Sequence, residues 1–114
     1  MSRALNPDQQ KEIQVFQQMS QQLSILQQNY VQMETRKREI GRTLDALKDL
    51  KADHEVYNAV GQILFKTNAG KTTQNLKEQL EILEIQVTKS KKQAEEFEKR
   101  VKDKESQIRQ SIQP

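Results

Sequence analysis

The sequence predicts a mainly α protein: a long antiparallel two-helix coiled coil with one central β-hairpin that completes itself against other chains. Three observations carry this. Apolar residues alternate at spacings of three and four over two long stretches. Between them lies Val56-Tyr57-Asn58-Ala59-Val60-Gly61-Gln62-Ile63-Leu64-Phe65-Lys66, which is β-branched and aromatic with Gly-X at its centre. Only 33% of the 114 residues are apolar and 31% are charged, against about 45–50% apolar in a typical globule. That is too little for a large spherical core but enough for the seam of a helix pair. The expected division is a first coiled-coil helix over 8–51, a β-hairpin over 55–68 and a second coiled-coil helix over 70–112. All three belong to one domain, residues 1–114.

The first arm opens at Asn6-Pro7-Asp8, where proline and an acid suit a helix entry. Phe16, Met19, Leu23, Leu26, Tyr30, Met33, Ile40, Leu44 and Leu47 then form a heptad seam, with Lys37 filling its one gap. From Pro7 to Leu50 such a helix runs roughly 65 Å. No charged residue occurs from Ile13 to Met33. Low-complexity drift toward glutamine explains that as well as a wet surface able to receive apolar groups without desolvating charges. Gly41 costs about 1 kcal/mol relative to alanine inside a helix, which suits either a close contact or a slight bend.

Ala52-Asp53-His54-Glu55 breaks the seam and leads into the hairpin. Two apolar runs separated by Gly61-Gln62 read as strands joined by a type II′ turn, since glycine accepts the positive φ required there. Val60 then pairs with Ile63, Ala59 with Leu64, Asn58 with Phe65 and Tyr57 with Lys66. Val56, Val60, Ile63 and Phe65 fall on one face; Tyr57, Ala59 and Leu64 fall on the other. Both faces are mainly apolar and both edges are open, so pairing with other chains into a sheet or barrel is expected. Asn68 or Thr72 suits the cap of the next helix. Gly70-Lys71-Thr72 has no upstream glycine at phosphate-loop spacing and carries no nucleotide reading.

In the second arm the seam resumes at Leu76, Leu80, Leu83, Val87, Ala94, Phe97, Val101 and Ile108, with Ser90 and Lys104 as exceptions. Glu95–Lys99, Glu96–Arg100, Glu98–Lys102 and Glu105–Arg109 are helix-supporting i,i+4 pairs. A register in which facing residue numbers sum to 127 places Leu47 opposite Leu80, Ile40 opposite Val87 and Lys37 opposite Ser90, and it is the expected one. It sets the hairpin at one end of a rod and the free ends of both arms at the other. That distal tip carries Leu5, Ile13, Val15, Phe16, Met19, Ile108 and Ile112, apolar side chains that a thinning seam leaves for a ligand or for simple fraying.

Composition excludes several classes. The net charge of +3 arises from 19 basic and 16 acidic residues that are interspersed, and Arg36-Lys37-Arg38 is flanked by Glu34 and Glu39. That reads as a solvated helix face, so no nucleic-acid partner is expected. With no cysteine and one histidine, His54, the chain offers neither a thiol nucleophile nor a metal site, and neither an enzyme nor a cofactor is expected. Ile63-Leu64-Phe65 is the longest apolar run, too short for a membrane span, and no signal-peptide core precedes it. A cytoplasmic protein is the expectation.

A seam, the single hairpin with its Val-Tyr-x-x-Val-Gly-x-x-Leu-x-Lys pattern (Val56, Tyr57, Val60, Gly61, Leu64, Lys66) and a second seam from Leu76 together resemble the β class of prefoldin subunits, of the archaeal type. The likeness covers nearly the whole chain. It implies an α2β4 hexamer with α-type subunits and further copies of this chain, joined through hairpins into an intermolecular β-barrel. Carried onto this sequence, Val56, Tyr57, Val60, Gly61, Ile63, Leu64 and Phe65 would oligomerise the subunits. The tip residues would hold unfolded polypeptide for transfer to a group II chaperonin without ATP hydrolysis, and Lys102, Lys104 and Arg109 would be candidates for docking to it. The alternative is a coiled-coil scaffold or tether that oligomerises through its hairpin.

Overall fold

Asn6 starts the first helix by a reciprocal exchange: its side-chain Oδ1 accepts from the Gln9 amide at 2.7 Å, and Gln9 Oε1 accepts from the Asn6 amide at 3.1 Å. This capping box satisfies two otherwise unpaired amides, and Pro7 occupies the first helical position, where a missing N–H costs nothing. The computed structural model describes residues 4–112; positions 1–3 and 113–114 of the expected domain lie outside them. Helix α1 covers Pro7–Leu47, strands β1 and β2 cover Glu55–Val60 and Ile63–Asn68, and helix α2 covers Ala69–Ile112. The fold is the predicted one, two long helices about a central antiparallel hairpin.

Helix α1 ends at Leu47, four residues short of the expected boundary at 51. The reason is local. Lys48 and Leu50 donate to the carbonyls of Asp45 and Leu47, three residues back, so the backbone tightens into turns and leaves the helix. The chain beyond is committed to the start of α2, where Ala69 N donates to His54 O at 2.8 Å and Gly70 N to Ala52 O at 2.9 Å. Asn68 Oδ1 accepts from the Lys71 amide at 2.8 Å and is the cap of α2, so Thr72 is not. Three amides that open α2 are thereby satisfied. A Cβ on Gly70 would meet Ala52 Cβ and O at 3.2 Å, so glycine permits this close approach, and α2 begins one residue before the expected 70.

Two compact units make up the chain: the described parts of Met1–Val31 with Thr88–Pro114, and Gln32–Val87. In both, the predicted seam is the protected face. Phe16, Met19, Leu23, Leu26 and Tyr30 are half-buried in the first unit, where Ser90, Ala94 and Val101 are buried. In the second unit Ile40, Leu47, Ala69, Leu83 and Val87 are buried and Lys37 is half-buried. Gly41 has nothing within 4 Å of an added Cβ, so no close contact within the described chain calls for glycine there.

The register expected from Lys37 and Ser90 is corrected by one heptad. In the first unit Gln9 Nε2 donates to the Ser111 carbonyl at 3.2 Å, a contact whose residue numbers add to 120. Lys104 Nζ lies 2.7 Å from Glu12 Oε2. With facing numbers near 120, Lys104 is level with Phe16, one turn from Glu12. Near 127 it would be level with Leu23, about 16 Å along the axis from Glu12 at 1.5 Å per residue. In the second unit Gly70 N donates to Ala52 O and Ala69 N to His54 O, numbers that add to 122 and 123, again below 127. The cause is the hairpin: Val60 pairs with Ile63 and Glu55 with Asn68, numbers that add to 123, and α2 starts at the next residue. The strand register passes almost unchanged into the helices.

Two measurements follow from this geometry. The chain has no native cysteine, so Val101→Cys combined with Met19→Cys is expected to form a disulfide under mild oxidation, whereas Val101→Cys with Leu26→Cys, its partner near 127, does not. In thermal or denaturant unfolding, Gly41→Ala is expected to stabilise by about 1 kcal/mol and Asn68→Ala to destabilise by about 1 kcal/mol through loss of the α2 cap.

Candidate assembly and client-contact surfaces

The hairpin has the predicted pairing throughout, from Val60 with Ile63 to Tyr57 with Lys66, and extends it to Val56 with Thr67 and Glu55 with Asn68. Gly61 adopts φ 61°, and no non-glycine residue has positive φ. Positive φ at the first turn position alone is the signature of the type II′ turn, whose twist matches that of the strands.

Six residues per strand bury almost nothing by themselves. Tyr57, Val60, Ile63, Leu64 and Phe65 are all more than half exposed, with Leu64 at 68%; Val56 is half-buried. Complete transfer of one such side chain out of water is worth roughly 1.5–3 kcal/mol. The two faces differ. Val56, Val60, Ile63 and Phe65 share theirs with Asn58 and Thr67. Tyr57, Ala59 and Leu64 share theirs with an ion pair, Lys66 Nζ to Glu55 Oε1 at 2.9 Å. The sheet has two strands, so each carries one edge without a strand beside it among the described residues.

At the other candidate surface the structure gathers the first turns of α1 and the last turns of α2. Leu5, Ile13, Phe16, Met19 and Ile108 are half-buried, and Val15 and Ile112 are exposed. Polar contacts run through this region. Gln9 bonds through Oε1 to its own cap and through Nε2 to Ser111 O, Gln10 Nε2 donates to Leu5 O at 3.3 Å, and Glu12 reaches Lys104. The basic candidates differ in availability. Lys102 and Arg109 pair within α2 to Glu98 and Glu105 and stay largely exposed, while Lys104 crosses to α1 with its side chain only 21% exposed.

Some of this escaped sequence reasoning. The Asn6–Gln9 spacing carries a capping-box signal, yet the contact from Gln9 to Ser111 depends on the true register. Ile82 and Ile85 are both more than half exposed on α2. Their positions off the heptad seam were the available signal.

An exposed apolar hairpin between two long helices with protected seams defines the class: a helical-hairpin protein whose small sheet has no further strand beside it among the described residues. The family model described as prefoldin subunit matches residues 10–114. A prefoldin subunit beta of Methanococcoides burtonii is 33% identical over 112 residues, covering 98% of this chain and 96% of that protein. One from Sulfolobus acidocaldarius is 33% identical over 110 residues, covering 90% and 88%. The crystal structure of the prefoldin beta subunit from Thermococcus strain KS-1 superposes with a TM-score of 0.83 at 26% identity, over 99% of both chains. The chain belongs to the prefoldin subunit family, in its β class.

Proposed function

We propose that the chain is the β-type subunit of an ATP-independent chaperone that captures unfolded polypeptides and passes them to a group II chaperonin in the cytoplasm. The observation that carries this reading is the hairpin, whose exposed Tyr57, Val60, Ile63, Leu64 and Phe65 have too little partner surface in a two-stranded sheet. Hairpins of α-type subunits and of further copies supply the missing strands, giving an α2β4 hexamer closed through a β-barrel. Val56, Val60, Ile63 and Phe65 turn inward, because the opposite face carries the Glu55–Lys66 pair, which favours water.

Client binding belongs to Leu5, Ile13, Val15, Phe16, Met19, Ile108 and Ile112. The exposure of Val15 and Ile112 supports it, as does the partial burial of the others, which keeps apolar surface near water without committing it to a core. Lys102 and Arg109 are the better placed of the basic residues for chaperonin docking, since Lys104 is engaged across the helices. No helix among the described residues is long and apolar enough to cross a membrane.

Deletion of Met1–Phe16 or of Ile108–Pro114 is expected to reduce suppression of aggregation for several unrelated unfolded proteins while the assembled mass persists. Ile63→Asp with Phe65→Ser is expected to do the reverse, dispersing the assembly. Unchanged suppression by both truncations would count against the tip assignment, and protection of a single native partner would favour a tether.

A further inference from the structure

Lys104 sits where the second seam calls for an apolar residue, between Val101 and Ile108. In the structure its side chain is only 21% exposed, and its ammonium crosses to Glu12 on the other helix at 2.7 Å. Around this contact Ile13, Phe16 and Ile108 are half-buried. A few residues away Gln9 ties the first turn of α1 to the Ser111 carbonyl near the end of α2. The neighbouring cations Lys102 and Arg109 pair instead within α2.

We infer that Lys104 is a positioning residue: with Glu12 it forms a reversible latch that closes the ends of the two helices over their apolar side chains. A leucine at this position would close the region permanently. A lysine closes it conditionally, because its stem packs while its charge needs a partner. That partner, Glu12, is 47% exposed, so salt and water screen the pair and its contribution is small. Opening therefore lies within easy thermal reach. It presents Ile13, Phe16 and Ile108 to an unfolded segment, which then holds the open state by binding it. The inference rests on the tip-capture reading, and it supplies what that reading lacks, a reason why the apolar surface is not exposed all the time.

The test uses the full chain assembled with its partner subunits and reads thermal stability, fluorescence of an apolar-surface dye and suppression of client aggregation. Lys104→Leu is expected to raise the melting temperature yet lower dye signal and client capture about two- to fivefold, the range of one exposed ion pair. A merely structural residue would not lose function on being stabilised. Glu12→Lys is expected to raise dye signal, and the reversal Glu12→Lys with Lys104→Glu to restore it. Dye signal that stays at the wild-type level in Lys104→Leu, or a reversal that fails to restore it, would overturn the latch. Dye signal that follows the latch while client capture does not would leave the latch standing and remove the tip-capture reading instead.

Discussion

The antiparallel pairing about Gly61 constrains more of this molecule than any other interaction. It joins two strands of six residues each, far below what a sheet needs to stand alone in water. The strands nevertheless carry Val60, Ile63, Leu64 and Phe65 at more than half exposure. The helices flanking the hairpin spend their own apolar residues on each other, through Ile40, Leu47, Leu83 and Val87 in the unit that holds the hairpin. The strands stay uncovered, with Tyr57, Val60, Ile63, Leu64 and Phe65 all more than half exposed. A surface of this kind is an aggregation hazard unless it is paired, and membership of the prefoldin subunit family is consistent with its being paired by design.

The same hairpin sets where α2 starts against the chain that follows α1. Because Ala69 opens α2 directly after the last paired residue, Asn68, and bonds to His54 O, no slack separates the strand register from the helix register. Helix elements, seam positions, turn type and strand pairing were all legible in the sequence, because each depends on local periodicity or on one glycine's φ. The helix register was not. Matching Lys37 to Ser90 favoured 127, but a half-buried lysine level with Leu83 can run its stem along that leucine and keep its amine in water. Ser90 is instead level with Tyr30, small against large, and is buried there. Side-chain preference among heptad registers is weaker than three backbone and cap bonds at the junction.

The candidate site was legible to a similar depth. The half-burial or exposure of the apolar residues near the arm ends follows from their places in the heptad. The polar contacts beside them were not legible, since they join residues about a hundred positions apart through Gln9 and Glu12. Reading Lys104 as a docking charge was natural from sequence, where it stands among other cations. In the structure its half-buried side chain pairs with Glu12 on α1, a partner about ninety positions away that no local pattern announces.

The mass of the chain in solution, measured by light scattering with and without an α-type subunit, tests hairpin-driven assembly most directly. Adding the subunit is expected to yield one discrete species near the mass of an α2β4 hexamer. A monodisperse monomer in both samples, with Tyr57, Leu64 and Phe65 still exposed, would contradict it.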